Sequence, residues 1–486
     1  MIKLALPAGD LRKPLAEVLS ARGLHVAGYG EGSRAYRLPV EGHDEVAVRV
    51  FREKDIPIQV ALGNYDLGIC SLAWLVEMQV RFPEQPIVPL RDLGVGRSVV
   101  LAAAHSSTAQ GLEELAALPV VRIASEYPSI AEAFAMAARF PAYRVQGVWG
   151  AAEAYPPEDA DVAVLAATDG ESVRSQGLRP LFELLESSAW LLANRASLGT
   201  KELGDLLALL VGAGQSAPAP RRPDGPYGAP VGAGGLNLPG PLPLTRRNSR
   251  GGSSRETVRL AVPDGHQQRH VVDALRAGGL AFEGYDESAC LRRPASSIKG
   301  LEVKVVRPQD MPQLVATGEF DLAISGRDCL MDHRYRFPSS PVEEVLDLHR
   351  AEYNLCAVVS EDVPADGIEG ALELWRSQGR AAVRVAAELP GIADHYARSR
   401  RFWRYQIIPI AGASEGFVPE DADLLIEGTE TGRTLAENRL KPIDLLFRST
   451  TCVIARRDSA LSGRRRDVFE ELLAALGRAA GAPERV

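Results

Sequence analysis

The feature that most constrains this chain is that it says the same thing twice. "RVFREKDIPIQVALGNYDLGIC" in the first half returns as "KVVRPQDMPQLVATGEFDLAIS" in the second, and "YPPEDADVAVL" returns as "FVPEDADLLIE". "IKLALPAGD" and "LLESSAWLLANRAS" have partners in "VRLAVPDGH" and "LLFRSTTCVIARRDS". The matches keep one order, and their spacing grows from 255 residues at Asp66/Asp321 to 262 at Gly170/Gly432. Ordered similarity of this length means two copies of one fold, separated by small insertions.

The copies span 1–212 and 256–486. Between them, 213–255 is built largely of Gly, Pro, Ala, Ser and Arg. Such a segment cannot bury enough apolar surface to offset its ordering entropy, so a flexible linker is expected. An extended arm packed on a domain is the alternative. Within each copy, short apolar strands alternate with helical patterns, as in "IKLALP" followed by "LRKPLAEVLSARG". The alternation predicts α/β architecture with right-handed crossovers and mixed, largely parallel sheets. The strands "SVVLAAA" and "AWLLANR" are candidates for crossing between two lobes.

Net charge is −8 over 486 residues, which gives no general affinity for nucleic acid or an anionic membrane. No leader is visible before "MIKLALPAGD", and no apolar run reaches the roughly 18 residues of a membrane span. The five cysteines are scattered without CxxC spacing. Free thiols in a reducing cytoplasm are expected, with neither a disulfide framework nor a metal site.

The chemistry concentrates in "EGTETGRTLAEN", Glu427 to Asn438. The strand "ADLLIE" feeds a Gly/Thr loop, and Thr434 and Glu437 have capping-box spacing at a helix start. Free amides, hydroxyls and a positive helix end make an anion site. The macrodipole contributes only about 0.3–1 kcal/mol when exposed, so hydrogen bonds must do most of the holding. Glu427 and Glu430 would repel a bare phosphate, but they suit sugar hydroxyls or a divalent cation on the same ligand. A phosphorylated ribose fits; an ordinary capped helix with a polar turn has the same spacing. No GK[ST] follows, so this is not a Walker loop.

With Glu427, then Thr431-Gly432-Arg433-Thr434-Leu435, then Asn438, the chain resembles the ATP phosphoribosyltransferase family. "VRPQDMP", "DLAISGRD", "GASEG" and "RSTTCVIARR" in the second copy look like the family too, as do "FREKDIP", "DLGVGR" and "RIASEYP" in the first. The resemblance implies two tandem copies of a two-lobed, type II periplasmic-binding-protein-like fold with a site in the cleft. It implies Mg2+-dependent condensation of ATP with phosphoribosyl pyrophosphate, the first step of histidine biosynthesis. Thr429, Thr431, Gly432, Arg433 and Thr434 would hold the 5-phosphate, and Glu427 and Glu430 would face the ribose. Arg307, Asp328 and Glu415 would contact the nucleotide.

The copies are unequal. In the first, Leu165 stands for Glu427, Thr168 for Glu430, Asp169 for Thr431, Glu171 for Arg433 and Ser172 for Thr434; Ala73 stands for Asp328. Added carboxylates in a phosphate cradle should abolish phosphate binding there, while Ser172 keeps the helix cap. The family's opening "PKGR" is "PAGD" in one copy and "PDGH" in the other, so basic residues are missing from both. The first copy keeps "SR" (Ser33-Arg34), whose arginine crosses to the neighbouring subunit in the family's dimers. One intramolecular pseudo-dimer follows, with a single site in the second copy completed by Arg34. A linker of about 43 residues spans roughly 35 Å as a coil, enough to allow it. A histidyl-tRNA-synthetase-like regulatory subunit is the partner the resemblance implies. Two other readings fit: an inactive regulatory or nucleotide-binding paralogue, and a solute sensor on the same fold.

Overall fold

The computed structural model describes residues 1–30, 35–211, 235–242, 257–287, 290–412, 414–430, 432–457 and 461–481. Arg34 and Thr431 therefore lie outside the described residues. In the first copy, one sheet runs in the order Arg37–Leu38, Val46–Phe51, Ile2–Pro7, Leu67–Ser71, Ala189–Asn194, Ile87–Asp92. A second runs Leu178–Ser187, Ser98–His105, Val162–Ala167, Val121–Ser125, Tyr143–Gly147. The chain leaves the first lobe after Asp92 and returns before Ala189. Ala189–Asn194 then inserts antiparallel between Leu67–Ser71 and Ile87–Asp92. Two crossings between two sheets make the two-lobed, type II periplasmic-binding-protein-like fold.

The second copy repeats this order except at one edge, where Phe282–Tyr285 and Cys290–Ser296 pair as a separate two-stranded sheet instead of adding a strand like Arg37–Leu38. Its sheets run Leu301–Val306, Val258–Pro263, Leu322–Gly326, Thr451–Arg456, Val342–Asp347, and Leu440–Ser449, Tyr353–Ser360, Leu424–Thr429, Val383–Ala387, Tyr405–Pro409. Even the bulges of the outer strands fall at matching positions. Apolar runs such as Leu4, Ala5 and Leu6 are fully buried because helices cover both sheet faces.

The copies pack as a pseudo-twofold pair, the first lobe of each against the second lobe of the other. Asp159 accepts two bonds from Arg259, at 2.7 and 2.7 Å, and one from Lys304 at 2.9 Å. The matching corner places Tyr65 on Asp421 at 2.8 Å, with Arg37 and Arg49 on Glu420 at 2.8 and 2.6 Å. Between these corners the cores run together: Phe51 meets Tyr65 and Phe417 edge-on at 5.1 and 4.8 Å. A core continuous across the seam makes this an obligate interface rather than two tethered beads.

One expectation needs correction. Residues 235–242, inside the segment read as a flexible linker, lie along the first copy. Asn237 N donates to Leu184 O at 2.7 Å, Leu242 N to Ala138 O at 3.2 Å, and Leu236, Leu238 and Leu242 pack on its core. Three leucines and an open edge strand supply what the average composition hides.

Candidate active site

One cavity of about 1520 Å³ opens between the four lobes, lined by both copies. Its second-copy wall is the loop after Leu424–Thr429. Gly432 is the N-cap of the helix Arg433–Glu437, with φ +71°, a left-handed conformation glycine adopts without strain. At its start Thr429 Oγ1 accepts the Gly432 N–H at 3.0 Å. The capping box read from Thr434 and Glu437 does not form: Glu437 pairs instead with Arg433 at 2.8 Å. An i,i+4 pair of opposite charges competes for the same carboxylate. Arg433 and Glu430 are exposed, and Glu430 faces His266 across the cleft at 3.9 Å.

Behind the loop lies an acid pair. Ser414 Oγ contacts Glu415 at 3.2 Å and makes a closer bond to Glu427. A hydroxyl has one proton to give, so two carboxylate neighbours require a second proton on one of them. Withdrawal from water, then the Glu415 charge, push Glu427 up to about 8, and burial raises Glu415 as well. Glu388 adds negative charge to the pair and accepts from Gln309 Nε2 at 2.8 Å. Such a pair can accept sugar hydroxyls, or share a cation brought by a ligand.

The remaining expected residues are placed as follows. Asp328 is buried and accepts the Tyr353 hydroxyl at 2.6 Å and the Ser449 hydroxyl at 3.1 Å. Arg307 lines the cavity but is held by Asp264 at 3.1 Å. It lies so close to Gly150 of the first copy that a Cβ there would meet its Nε at 2.7 Å. Glu415, Glu427, Thr429, Gly432 and Thr434 share one wall with Glu430 and Arg433.

Sequence reasoning missed Arg52, Tyr36 and Asp55. Arg52, of the first copy, approaches Gly412 of the second, its Nε 3.2 Å from where a Cβ would sit. Tyr36 N donates to Asn438 Oδ1 at 3.0 Å, and Asp55 accepts the Ala411 N–H at 3.0 Å. Two stretches held the signal, "FREKDIP" for Arg52 and Asp55 and "SRAYRLPVE" for Tyr36, but neither shows by itself that it faces the other copy.

The first-copy counterpart is closed. Asp169 caps its own helix, accepting the Ser172 N–H at 2.8 Å, so the cap is Asp169 and not Ser172. Ala152, Glu153 and Leu165 stand where Ser414, Glu415 and Glu427 stand, and Arg292 neutralises Glu153 at 2.7 Å.

The ATP phosphoribosyltransferase (HisG) family model matches residues 52–212 and again 307–478, more than half of the chain. An ATP phosphoribosyltransferase of Prosthecochloris aestuarii is 30% identical over 203 residues, 40% of this chain and 65% of that protein. One of Moorella thermoacetica is 31% identical over 231 residues, 46% of this chain and 92% of that protein, so a whole relative corresponds to a single copy. The ATP phosphoribosyl transferase (HisG:HisZ) complex from Thermotoga maritima aligns at 23% identity and TM-score 0.37, over 46% of this chain and 98% of that one. The chain belongs to the ATP phosphoribosyltransferase family and carries the family's matching region twice.

Proposed function

We propose that the chain condenses ATP with phosphoribosyl pyrophosphate at the second-copy cleft, the opening step of histidine biosynthesis. One observation carries the reading: in the second copy a Gly/Thr loop turning at Gly432 lies beside the Ser414-bridged Glu415 and Glu427, whereas in the first copy Asp169 caps the helix and Leu165 stands for Glu427. An adenine ring nitrogen forms a bond to the anomeric carbon as the bond to pyrophosphate breaks, and the electron pair leaves with pyrophosphate. The loop backbone and Thr434 hold the 5-phosphate, and Glu427 accepts ribose hydroxyls beside an oxocarbenium-like carbon. No covalent enzyme intermediate is needed.

Mg2+ fits as an ion carried on polyphosphate. Among the described residues no three His, Cys, Asp or Glu side chains form a cage, and Mg2+ commonly binds through one or two carboxylates plus substrate phosphates. Glu427 and Glu430 would meet it, and its contribution is to neutralise the departing pyrophosphate. Arg34 belongs to the proposal as a residue crossing from the first copy. Its neighbours Tyr36 and Arg37 support this, since they meet Asn438 and Glu420 across the seam. A histidyl-tRNA-synthetase-like subunit remains a proposed partner whose place the first copy can take. Among the described residues no helix is long and apolar enough to cross a membrane, which accords with work in the cytoplasm.

A second reading has its own support. Asp264 engages both Arg307 and Arg292, so cations near the polyphosphate are already paired. This favours a ligand-binding paralogue without turnover. Purified chain given ATP, phosphoribosyl pyrophosphate and Mg2+ decides, read by product absorbance in the near ultraviolet. Turnover supports the enzyme; binding of phosphoribosyl pyrophosphate without product supports the paralogue.

A further inference from the structure

The loop that carries Ser414 and Glu415 is tethered from the other copy. Asp55, in the short turn Glu53–Asp55 of the first copy, is buried and accepts the Ala411 N–H at 3.0 Å. Ala411 lies three residues before Ser414, whose hydroxyl joins Glu415 to Glu427. Tyr36 braces the same wall: its backbone N–H holds Asn438, and a Cβ on Gly416 would sit 3.4 Å from Tyr36 Cβ.

The duplication supplies an internal control. Asp310 of the second copy accepts the Trp149 N–H of the first at 3.1 Å, the same bond in mirror position. Asp310 has a further donor, the Tyr155 hydroxyl at 3.2 Å, where the corresponding residue beside Asp55 is Phe417. The mirror loop leads to Ala152, Glu153 and Leu165, which form no acid pair. The same tether is thus made twice, and only one precedes a potential site.

We infer that Asp55 is a positioning residue, supplied by the first copy, for the Ser414–Glu415–Glu427 group of the second. The inference rests on the second-copy site proposed above. A carboxyl oxygen buried against one backbone amide fixes the place of Ala411, three positions before Ser414. Without it Ser414 shifts, and two carboxyls lose the hydroxyl they share. The surrounding charges are defined. Burial pushes Asp55 up to about 7, against Lys54 and Arg52 and with Glu388. Glu427 is faced by Glu415 and Glu388, and Tyr36 by Glu415, Arg52, Glu427 and Arg12. Neutral or ionised, Asp55 retains an oxygen that can accept from Ala411.

The test compares full-length Asp55→Ala, Asp55→Asn and Asp310→Ala. The first readout is the pH titration of Glu427, followed by NMR with carboxyl-labelled glutamate and assigned with Glu427→Gln. The second is kcat and KM for phosphoribosyl pyrophosphate. Asp55→Ala should move the Glu427 midpoint and lower kcat about tenfold. Asp55→Asn should restore both to within about twofold, because its amide oxygen accepts the same N–H. Asp310→Ala should leave both unchanged, although it removes the matching bond at the seam. Ala411→Pro deletes the donor from the other end and should reproduce Asp55→Ala, which covers a failure of that variant to fold. An unchanged Glu427 titration in Asp55→Ala, or an equal effect of Asp310→Ala, overturns the inference. A wild-type chain without turnover would remove the functional reading, and the titration would still decide this one.

Discussion

Asp169 and Gly432 mark the same helix start in two copies, and they treat it in opposite ways. In the first, the Asp169 carboxylate takes the Ser172 amide and puts negative charge where an anion would sit. In the second, left-handed Gly432 turns the chain into the helix. The acid pair follows the same division: Ser414 joins Glu415 to Glu427, whereas Glu153, beside Leu165 and near Glu126, is paired with Arg292. The two loops thus differ in their side chains while the strands that carry them keep the same order. Meanwhile the first copy has kept its face toward the second, through Asp55, Tyr36 and Arg52. That face is a wall of the shared cavity.

The comparison extends to the seam, where the largest effect is expected. Asp159 holds Arg259 and Lys304 in a buried cluster, and its truncation leaves buried Arg259 with only a 3.7 Å carboxylate contact, to Glu302, and Lys304 with Glu158 alone. Asp159→Ala should cost about 3–5 kcal/mol, seen in denaturant unfolding. Arg49→Ala, at the more open corner on Glu420, should cost about 1 kcal/mol or less. Equal losses would mean that the corners are energetically alike.

Next comes conversion of one site into the other. Ser414→Ala with Glu427→Leu copies the first-copy residues into the second, removing charge-assisted hydrogen bonds of about 1.5–3 kcal/mol each. Turnover should fall about a hundredfold or more in a steady-state assay, with folding retained because the first copy folds with these residues. A smaller effect follows for Thr434→Ala, which should raise KM for phosphoribosyl pyrophosphate about tenfold. Ser172→Ala should leave KM unchanged; a matching rise would show that the first cleft still binds.

The smallest effect is on pH. Folded Glu427 holds its proton up to about 8, above the ordinary glutamate value, so the folded state binds more protons than the unfolded one. Its contribution to stability is complete below the unfolded value and is lost as pH rises through about 8. Glu427→Gln should flatten this slope in thermal melts between pH 5 and pH 9. An unaltered slope would place the proton elsewhere in the group.

Much of this was legible without coordinates because duplication and alternation are local patterns. "VAVRVF", "DIPIQVALGN" and "DLGIC" each carry their own periodicity, and their return after 255 residues announced two copies. The loss of Glu427 as Leu165 was equally plain. Caps were harder. Thr434 and Glu437 have the right spacing, but Arg433 lies one turn before Glu437 and takes its carboxylate. At the first-copy loop, Asp169 lies closer to the helix start than the Ser172 side chain that spacing suggested. The ordered piece 235–242 was hidden by its neighbours' composition, since three leucines count for little in a Gly/Pro-rich average.

By itself, then, the sequence determined the repeat, the α/β class, the unequal loops and the chemistry that an acid followed by Gly and Thr can perform. Those properties depend on residues near one another along the chain. The tertiary structure decided which residues of one copy stand against the other: Asp55 on Ala411, Tyr36 on Asn438, Arg52 beside Gly412. These pairs are separated by more than 350 positions, and no periodicity encodes them. They exist because lobes packed about a pseudo-twofold axis bury one continuous core, and whatever side chains ring that core become neighbours.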